Sequence, residues 1–183
     1  MRSTVFVRVF CDAGSVMTAA QVLAVLDEIE ALGVRAWVDG GWGVDALLAE
    51  QTREHDDLDL VIEDLALPRV VDLLETEGFE VERDLLPTAL ALRHRDGRGV
   101  DLHPVRATPD GGGDQLLPDN AGVFHYDAPE TGTIDGQQVP CCSVNTQVAT
   151  HLGYPPADED VADMLALATR FGLTLPAPYD DLG

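Results

Sequence analysis

The chain has 183 residues, and 11 basic side chains against 33 acidic ones give it a formal net charge of −22. All of the basic residues are arginines, because the sequence contains no lysine, and this excludes a P-loop lysine, a Schiff-base lysine and a Ser-Lys nucleophile pair. A chain this acidic repels polyanions, which argues against nucleic acid or an anionic membrane as a partner and favours metal ions or cationic small molecules.

The N-terminal segment, residues 1–16, has no turn residues that lead into the next element. By contrast, Thr18 and Gln21 have the spacing of a helix capping box, and Met17 directly precedes them. We therefore hypothesise that the protein begins at Met17, or that residues 1–16 form a loosely attached arm. Arg8 interrupts the short apolar stretch of this segment and no convincing cleavage site follows, which argues against a signal peptide.

Helices and strands alternate along the first half of the chain. Apolar residues at helical spacing predict three helices, and apolar or alternating runs predict five strands. The predicted helices are residues 18–32, 42–50 and 65–77, and the predicted strands are residues 34–39, 57–62, 79–86, 88–94 and 100–105.

The second half of the chain is richer in turn residues. Residues 106–122 contain many Gly, Pro and Asp residues, which predict a loop. Two or three short strands are expected between Phe124 and Cys142. Helices are then predicted over residues 145–153 and 158–171, before an irregular tail.

This order of elements predicts an α/β (α+β) fold, in which a mixed sheet is flanked by helices. We expect a core over residues 17–143 and a small C-terminal helical segment with the tail over residues 144–183. No apolar run approaches the roughly 18 residues of a membrane span. Three cysteines without a CxxC pair predict neither a disulfide framework nor a zinc site, so a cytoplasmic protein is expected.

Acidic residues recur on two of the predicted strands. Asp57 and Asp59 are two residues apart, so both carboxylates project from one face, roughly 6–7 Å apart along the backbone. Asp101 and His103 share one face of a later strand in the same way. Like charges held this close are unfavourable unless a cation lies between them, so the three aspartates are candidate ligands of Mg²⁺. The alternative is a chance D-x-D pattern in an aspartate-rich chain.

Gly40 and Gly41 lie between a predicted strand and a predicted helix. Glycine lets the backbone approach a ligand, and the first turn of a helix offers unpaired N–H groups to phosphate oxygens. The polar turn that follows contains Arg53 and His55, which are candidate phosphate contacts or part of a solvent-exposed turn. A glycine pair alone is usually a tight turn, but here it precedes D-x-D on a strand, which places phosphate donors beside the carboxylates.

Residues 40–60, GGWGVDALLAEQTREHDDLDL, resemble the signature of the DNA polymerase β-like nucleotidyltransferases. More narrowly, they are similar to the small antibiotic-modifying branch, the aminoglycoside 2″-adenylyltransferase and lincosamide nucleotidyltransferase group. Residues 145–172, with HLGYPP at 151–156, resemble the C-terminal helical segment of that group. The resemblance leaves out only the start of the chain and its tail.

The resemblance implies a nucleotidyltransferase-type fold and a metal-dependent transfer of a nucleoside monophosphate, AMP from ATP, to a hydroxyl of a small molecule, with release of pyrophosphate. Two Mg²⁺ ions about 4 Å apart can clamp the attacking and leaving oxygens of such a displacement. The implied metal ligands are Asp57, Asp59 and Asp101, and the implied contacts to the triphosphate are Gly40, Gly41, Arg53 and His55.

Four residues near these motifs have two readings each. Asp101 is a candidate general base, or it binds only metal and the metal acidifies the acceptor hydroxyl. His103 either supports the metal ligands or is a hydrogen-bonded structural histidine. Tyr154 matches the C-terminal motif of the family and either lines the acceptor pocket or packs at a helix end. Trp42 packs beneath the nucleotide loop or, as we expect, in the core.

The charge of the chain bears on the identity of the acceptor. A polycationic aminoglycoside gains more from a surface of −22 than a lincosamide with its single amine, so an aminoglycoside-type acceptor is expected, with a lincosamide or another metabolite as the alternative. Carboxylates of residues 106–122 and 158–163 are candidates for the border of the acceptor cleft. A non-catalytic nucleotide-binding protein or toxin–antitoxin partner of the same fold is a further alternative. A monomer or homodimer is expected.

Overall fold

The architecture was obtained as a computed structural model, which describes residues 16–181. Apart from Val16, the segment on which the hypothesis of a loose N-terminal arm rests lies outside these residues. Met17 is fully buried, and its N–H donates a hydrogen bond of 2.7 Å to the carbonyl of His55. The capping box is confirmed, because Thr18 and Gln21 exchange hydrogen bonds at the start of the first helix, α1.

The described part of the chain contains five α-helices and nine strands in a mixed order. The helices are α1 (Ala19–Ala31), α2 (Gly40–Leu48), α3 (Leu67–Thr76), α4 (Val144–Thr150) and α5 (Asp158–Phe171). The strands are β1 (Ala36–Asp39), β2 (Asp57–Glu63), β3 (Phe79–Leu85), β4 (Ala89–His94), β5 (Gly99–Ala107), β6 (Gly113–Leu116), β7 (Val123–Tyr126), β8 (Glu130–Ile134) and β9 (Gln137–Cys141).

Two predictions of local structure are wrong. Residues 106–122 are not a continuous loop, because β5 runs on to Ala107 and pairs there with β6. Gly113 is part of this strand pairing and lies against Val105. A Cβ on Gly113 would clash with the valine side chain, which explains why a glycine occupies this strand position. In addition, α2 begins at Gly40 rather than at residue 42, so the glycine pair forms the first turn of the helix.

The nine strands form one mixed sheet in the order β3-β4-β5-β2-β1-β9-β8, and the β6–β7 hairpin extends from the end of β5. Strand β2 is parallel to β5 and β1 is parallel to β9, whereas the other pairs are antiparallel. The predicted class, a mixed sheet flanked by helices, is therefore confirmed.

One face of the sheet carries the main core. Leu58, Leu60 and Ile62 of β2 and Val100 and Leu102 of β5 are almost completely buried there against apolar residues of α1 and α3. Because side chains alternate across a strand, the intervening aspartates are directed to the opposite face. Burial of the apolar residues on one face of β2 and β5 therefore determines that the aspartates lie on the other face.

Helices α4 and α5 cover part of that opposite face. Met164 and Leu167 of α5 pack with Val44 of α2 and with Leu175 and Tyr179 of the tail in a separate apolar cluster. The predicted division of the chain at residue 143 falls between β9 and α4, and it stays a prediction.

None of the helices within residues 16–181 is long and apolar enough to cross a membrane.

Candidate active site

Three aspartates stand side by side on neighbouring strands. The strand register pairs Asp39 on β1 with Asp59 on β2, and Asp59 in turn with Asp101 on β5. We call Asp39, Asp59 and Asp101 the carboxylate row. Asp57 lies on the same face of β2, at the start of the strand. The structure thus places the predicted aspartates on one face and adds Asp39 to them.

Asp39 is a functional candidate that sequence reasoning missed. It is the last residue of β1 and directly precedes the glycine pair, which is the signal that could have found it. Its place beside Asp59 depends on the antiparallel pairing of β1 with β2, and the two strands are separated in sequence by a helix and a turn. Burial, together with the negative charge of Asp39, raises the pKa values of Tyr126 and Cys142.

Burial makes Asp39 and Asp101, two members of the carboxylate row, reluctant to ionise. Asp101 is 6% exposed, and burial together with the negative charge of Asp59 raises the pKa of Asp101 to about 7. Burial also raises the pKa of Asp39; His103 opposes this shift, and Asp59 adds to it. A row of this kind is favourable for cations, because a bound positive charge relieves the repulsion.

His103 supplies one positive charge to the row. Its Nε2 atom donates to Oδ1 of Asp59 at 3.2 Å. Burial alone would lower the pKa of His103, but the hydrogen bond to Asp59 and the charges of Asp59, Asp39 and Asp101 outweigh burial and raise the pKa to about 9. The histidine is therefore a protonated partner of a predicted metal ligand at neutral pH.

Several features of the row suit a hard cation. One carboxylate oxygen of Asp39 and one of Asp101, both named Oδ1, are buried without a hydrogen-bond partner. Carboxylate oxygens are the donors that Mg²⁺ prefers. Within residues 16–181, however, no three His, Cys, Asp or Glu side chains already converge at the spacing of a metal site. The ligand roles of Asp57, Asp59 and Asp101 therefore stay predictions.

The glycine pair lies against the charged residues of the site. Gly40 has a φ of +59°, and a Cβ atom at this position would clash with the carboxylate of Asp59. A Cβ on Gly41 would clash with the ring of His55 and would lie 2.6 Å from Nη2 of Arg53. The first turn of α2 thus approaches both the carboxylate row and the polar turn of residues 51–56.

Two side chains of the polar turn, Arg53 and His55, are anchored in the protein, whereas Gln51, Thr52 and Glu54 of the same turn are exposed. His55 is 3% exposed; its Nε2 atom lies 2.5 Å from Oδ2 of Asp45, and its ring packs 4.8 Å from that of Trp42. Asp45 also accepts hydrogen bonds from the backbone and hydroxyl of Thr52. Trp42 is 2% exposed, which confirms the expected core position. The interpretation as solvent-exposed residues is therefore wrong for His55, whereas Arg53 is partly exposed.

These residues line a cleft with a volume of about 310 Å³. One wall contains the carboxylate row, Asp57, the glycine pair and the polar turn. The opposite wall comes from the C-terminal segment, and Tyr154 there donates to Asp160 at 3.3 Å. The residues of this second wall are Thr150, His151, Tyr154, Glu159, Asp160 and Asp163.

The sequence predicts only in part which acidic residues border the cleft. Glu159, Asp160 and Asp163 of the segment 158–163 border the cleft as expected, whereas Asp158 and the described residues of 106–122 are not part of the lining. Asp160 and Asp163 are nearly fully buried, and Asp163 pairs with Arg53 across the cleft mouth. The pairing of residues 53 and 163, 110 positions apart, has no signal in the local sequence.

A mixed sheet with paired carboxylates beside a glycine-started helix defines the chain as a nucleotidyltransferase. The family model described as aminoglycoside-2″-adenylyltransferase matches residues 21–167. The chain belongs to this family.

Curated relatives agree with this assignment. The lincosamide resistance protein of Staphylococcus haemolyticus is 32% identical over 149 residues, which cover 81% of this chain and 92% of that protein. A 2″-aminoglycoside nucleotidyltransferase of Klebsiella pneumoniae is 34% identical over 74 residues, 40% of each chain. The predicted family and the predicted enzyme class are confirmed, and the non-catalytic alternative gains no support from these names.

Solved structures show the same fold. The lincosamide antibiotic adenylyltransferase LnuA, with lincomycin bound, superposes with a TM-score of 0.76 at 30% identity over 85% of this chain and 99% of that one. The solution structure of ANT(2″)-Ia superposes with a TM-score of 0.68 at 21% identity over 84% of both chains, a likeness of fold.

Proposed function

We propose that the chain transfers AMP from ATP to a hydroxyl of a cationic antibiotic of the aminoglycoside type, in a Mg²⁺-dependent reaction that releases pyrophosphate. The observation that carries this proposal is the cleft, in which the carboxylate row and the start of α2 face an acidic second wall. Membership of an adenylyltransferase family supports the reaction type.

In this proposal the triphosphate lies at the N-terminus of α2. Gly40 and Gly41 let Asp59, His55 and Arg53 pack against the first turn of α2. The N–H groups of this turn, which also carries the positive end of the helix dipole, would bind phosphate oxygens. Arg53 and His55 border the same place and complete the nucleotide contacts. Because the chain has no lysine, arginine and backbone N–H groups take the part that a lysine plays in other phosphate sites.

Asp57, Asp59 and Asp101 would hold two Mg²⁺ ions, which neutralise the phosphates and lower the pKa of the acceptor hydroxyl. Asp101 would also accept the proton of that hydroxyl as a general base. A role for Asp101 as metal ligand only remains the competing proposal. His103 holds Asp59 in place through its hydrogen bond.

The acceptor would bind between the carboxylate row and the second wall. Glu54, Asp56, Glu159, Asp160 and Asp163 line the cleft, and this concentration of acidic side chains favours an acceptor with several amines. Tyr154 is positioned on the same wall to contact the acceptor.

A lincosamide is the second candidate acceptor. The relative from Staphylococcus haemolyticus and the lincomycin-bound LnuA structure each match over more than nine-tenths of their own length, whereas the 2″-aminoglycoside relative matches over 40%. A cytoplasmic protein that acts as a monomer or homodimer completes the proposal.

Incubation with Mg²⁺, radiolabelled ATP and either tobramycin or lincomycin tests the function, with mass spectrometry to identify an adenylated product. Transfer to tobramycin supports the first candidate, and transfer to lincomycin alone supports the second. Asp59→Asn is expected to abolish transfer, whereas Asp72→Asn, an exposed change of equal charge on α3, should leave it intact.

If Asp101→Asn abolishes transfer but retains Mn²⁺ binding, Asp101 is the base. Absence of product with every acceptor would contradict the proposal.

A further inference from the structure

Arg53 is held in one orientation at the mouth of the cleft. Its Nε and Nη2 atoms donate to the two carboxylate oxygens of Asp163 at 3.3 and 2.9 Å, and Nη1 donates to the carbonyl of Glu54 at 3.2 Å. The backbone carbonyl of Arg53 accepts a further hydrogen bond from Gln51. Both the turn and the plane of the guanidinium are therefore fixed.

The guanidinium packs directly on the first turn of α2. Nη2 of Arg53 lies only 2.6 Å from the position that a Cβ on Gly41 would occupy. A cation thus lies over the helix N-terminus, where unpaired N–H groups and the helix dipole already favour an anion. Arg53 is 26% exposed, so part of its fork faces the cleft.

Asp163 has the properties of a group that acts through Arg53. Its side chain is 2% exposed and lies on α5, on the wall opposite the nucleotide loop. Burial alone would lower the pKa of Arg53, but the hydrogen bond and charge of Asp163 outweigh burial and raise it, so Arg53 stays charged. The negative charge of Asp163 by itself disfavours phosphate, so any benefit to nucleotide binding comes from the orientation that it gives Arg53.

We propose that Asp163 is a positioning residue that presents Arg53 to the phosphates of the nucleotide. This inference rests on the proposed function, because it takes the N-terminal end of α2 as the triphosphate site. A fixed guanidinium plane favours paired hydrogen bonds to phosphate oxygens. Without Asp163, the side chain of Arg53 would be free to move and would lose conformational entropy when it binds a phosphate. The orientation outweighs the repulsion, since the carboxylate of Asp163 is already neutralised by Arg53.

The test compares nucleotide binding by full-length variants without any acceptor. Calorimetry with Mg²⁺ measures the Kd of α,β-methylene-ATP and of AMP for Asp163→Asn, Arg53→Gln and the double variant. Each single variant is expected to bind the triphosphate analogue about tenfold more weakly, with little change for AMP. The double variant should bind no more weakly than Arg53→Gln, because both changes remove the same interaction.

Asp158→Asn is the matched control, because it removes the same charge from an exposed position in the first turn of the same helix. An Asp163→Asn variant with a lower Tm but the Kd of the wild type would show a purely structural pair and overturn the inference, as would tighter binding. Arg53→Lys keeps the charge but loses the fork, so unchanged binding by this variant also overturns it.

The two levels of the proposal fail differently. A wild-type protein that binds no triphosphate analogue overturns the nucleotide site itself. A wild-type protein that binds the analogue, together with an Asp163→Asn variant that binds it equally well, overturns only the positioning role of Asp163.

Discussion

At the scale of single residues, the site depends on positions that tolerate no side chain. The φ of +59° at Gly40 is unfavourable for other L-residues, and the same residue faces the carboxylate of Asp59. Gly41 meets Arg53 and His55 in a similar way. The glycine pair therefore permits close packing of acidic and basic side chains around one helix start.

Gly40→Ala is expected to lower transfer activity by about a hundredfold, because its Cβ displaces Asp59 from the carboxylate row. Gly136→Ala is the matched control. Gly136 also has a positive φ, +81°, but a Cβ there meets nothing within 4 Å. Both variants should lose about 1–2 kcal/mol of stability from backbone strain, and only Gly40→Ala should lose activity. Steady-state rates and urea unfolding measure the two effects, and equal activities would contradict the steric argument.

At the scale of elements, what the sequence predicts depends on whether the signal is local. The helix α1 and strand β2 are predictable because a capping box and an apolar alternation lie within each element. Strand β6 is not predictable in this way, because it lies in a segment with the composition of a loop. Its residues, Gly113 among them, form a strand only by pairing with β5.

The same distinction applies to the site. Asp57, Asp59 and Asp101 can be predicted from strand periodicity. Strand periodicity does not predict Asp39 and Asp163, because their proximity to Asp59 and Arg53 depends on pairing between distant parts of the chain. The local signal for Asp39 is only its position directly before the glycine pair. Local patterns thus predict which residue types the chemistry needs, and tertiary packing decides which copies of them meet.

The β6–β7 hairpin contains an ion pair whose strength depends on pH. His125 on β7 lies 2.8 Å from Asp114 on β6 and 3.1 Å from Asp110 in the preceding loop. The hydrogen bond to Asp114 raises the pKa of His125 above its ordinary value of 6.5. The stabilisation is therefore complete below pH 6.5 and is lost as the pH rises through the raised pKa.

His125→Gln should lower stability at pH 6 by less than about 1 kcal/mol, because the pair is solvent-exposed, and should have almost no effect at pH 9. Thermal unfolding of both proteins at the two pH values checks this. An equal difference in Tm at pH 6 and pH 9 would exclude a contribution from the imidazolium charge.

At the scale of the whole molecule, the net charge of −22 is not spread without pattern. Part of it is concentrated in the cleft, where Asp39, Asp59 and Asp101 face Asp160 and Asp163. Arg53 and His103 compensate two of these charges. The proposed Mg²⁺ ions would compensate those of the carboxylate row, and the other acidic residues of the cleft would meet an acceptor with several amines. Long-range attraction of such an acceptor is a property of the entire surface and cleft together.

Ionic strength should therefore separate the two candidate acceptors. The KM for tobramycin is expected to rise several-fold between about 50 and 500 mM NaCl, because salt shortens the range of attraction to the acidic cleft. The KM for lincomycin, with one amine, should change less. Initial rates at fixed ATP and Mg²⁺ measure both, and an equal salt dependence would contradict electrostatic recognition of the acceptor.

The origin of the two cleft walls from distant parts of the chain determines the stage of synthesis at which the cleft can form. The carboxylate row is complete in sequence at Asp101, but β1 pairs with β9, and Asp163 reaches Arg53 only from α5. A nascent chain that has left the ribosome as far as β5 possesses the acidic residues without the wall that would enclose a substrate. The cleft is therefore complete only late in synthesis, once α5 has emerged and folded back on the first half of the chain.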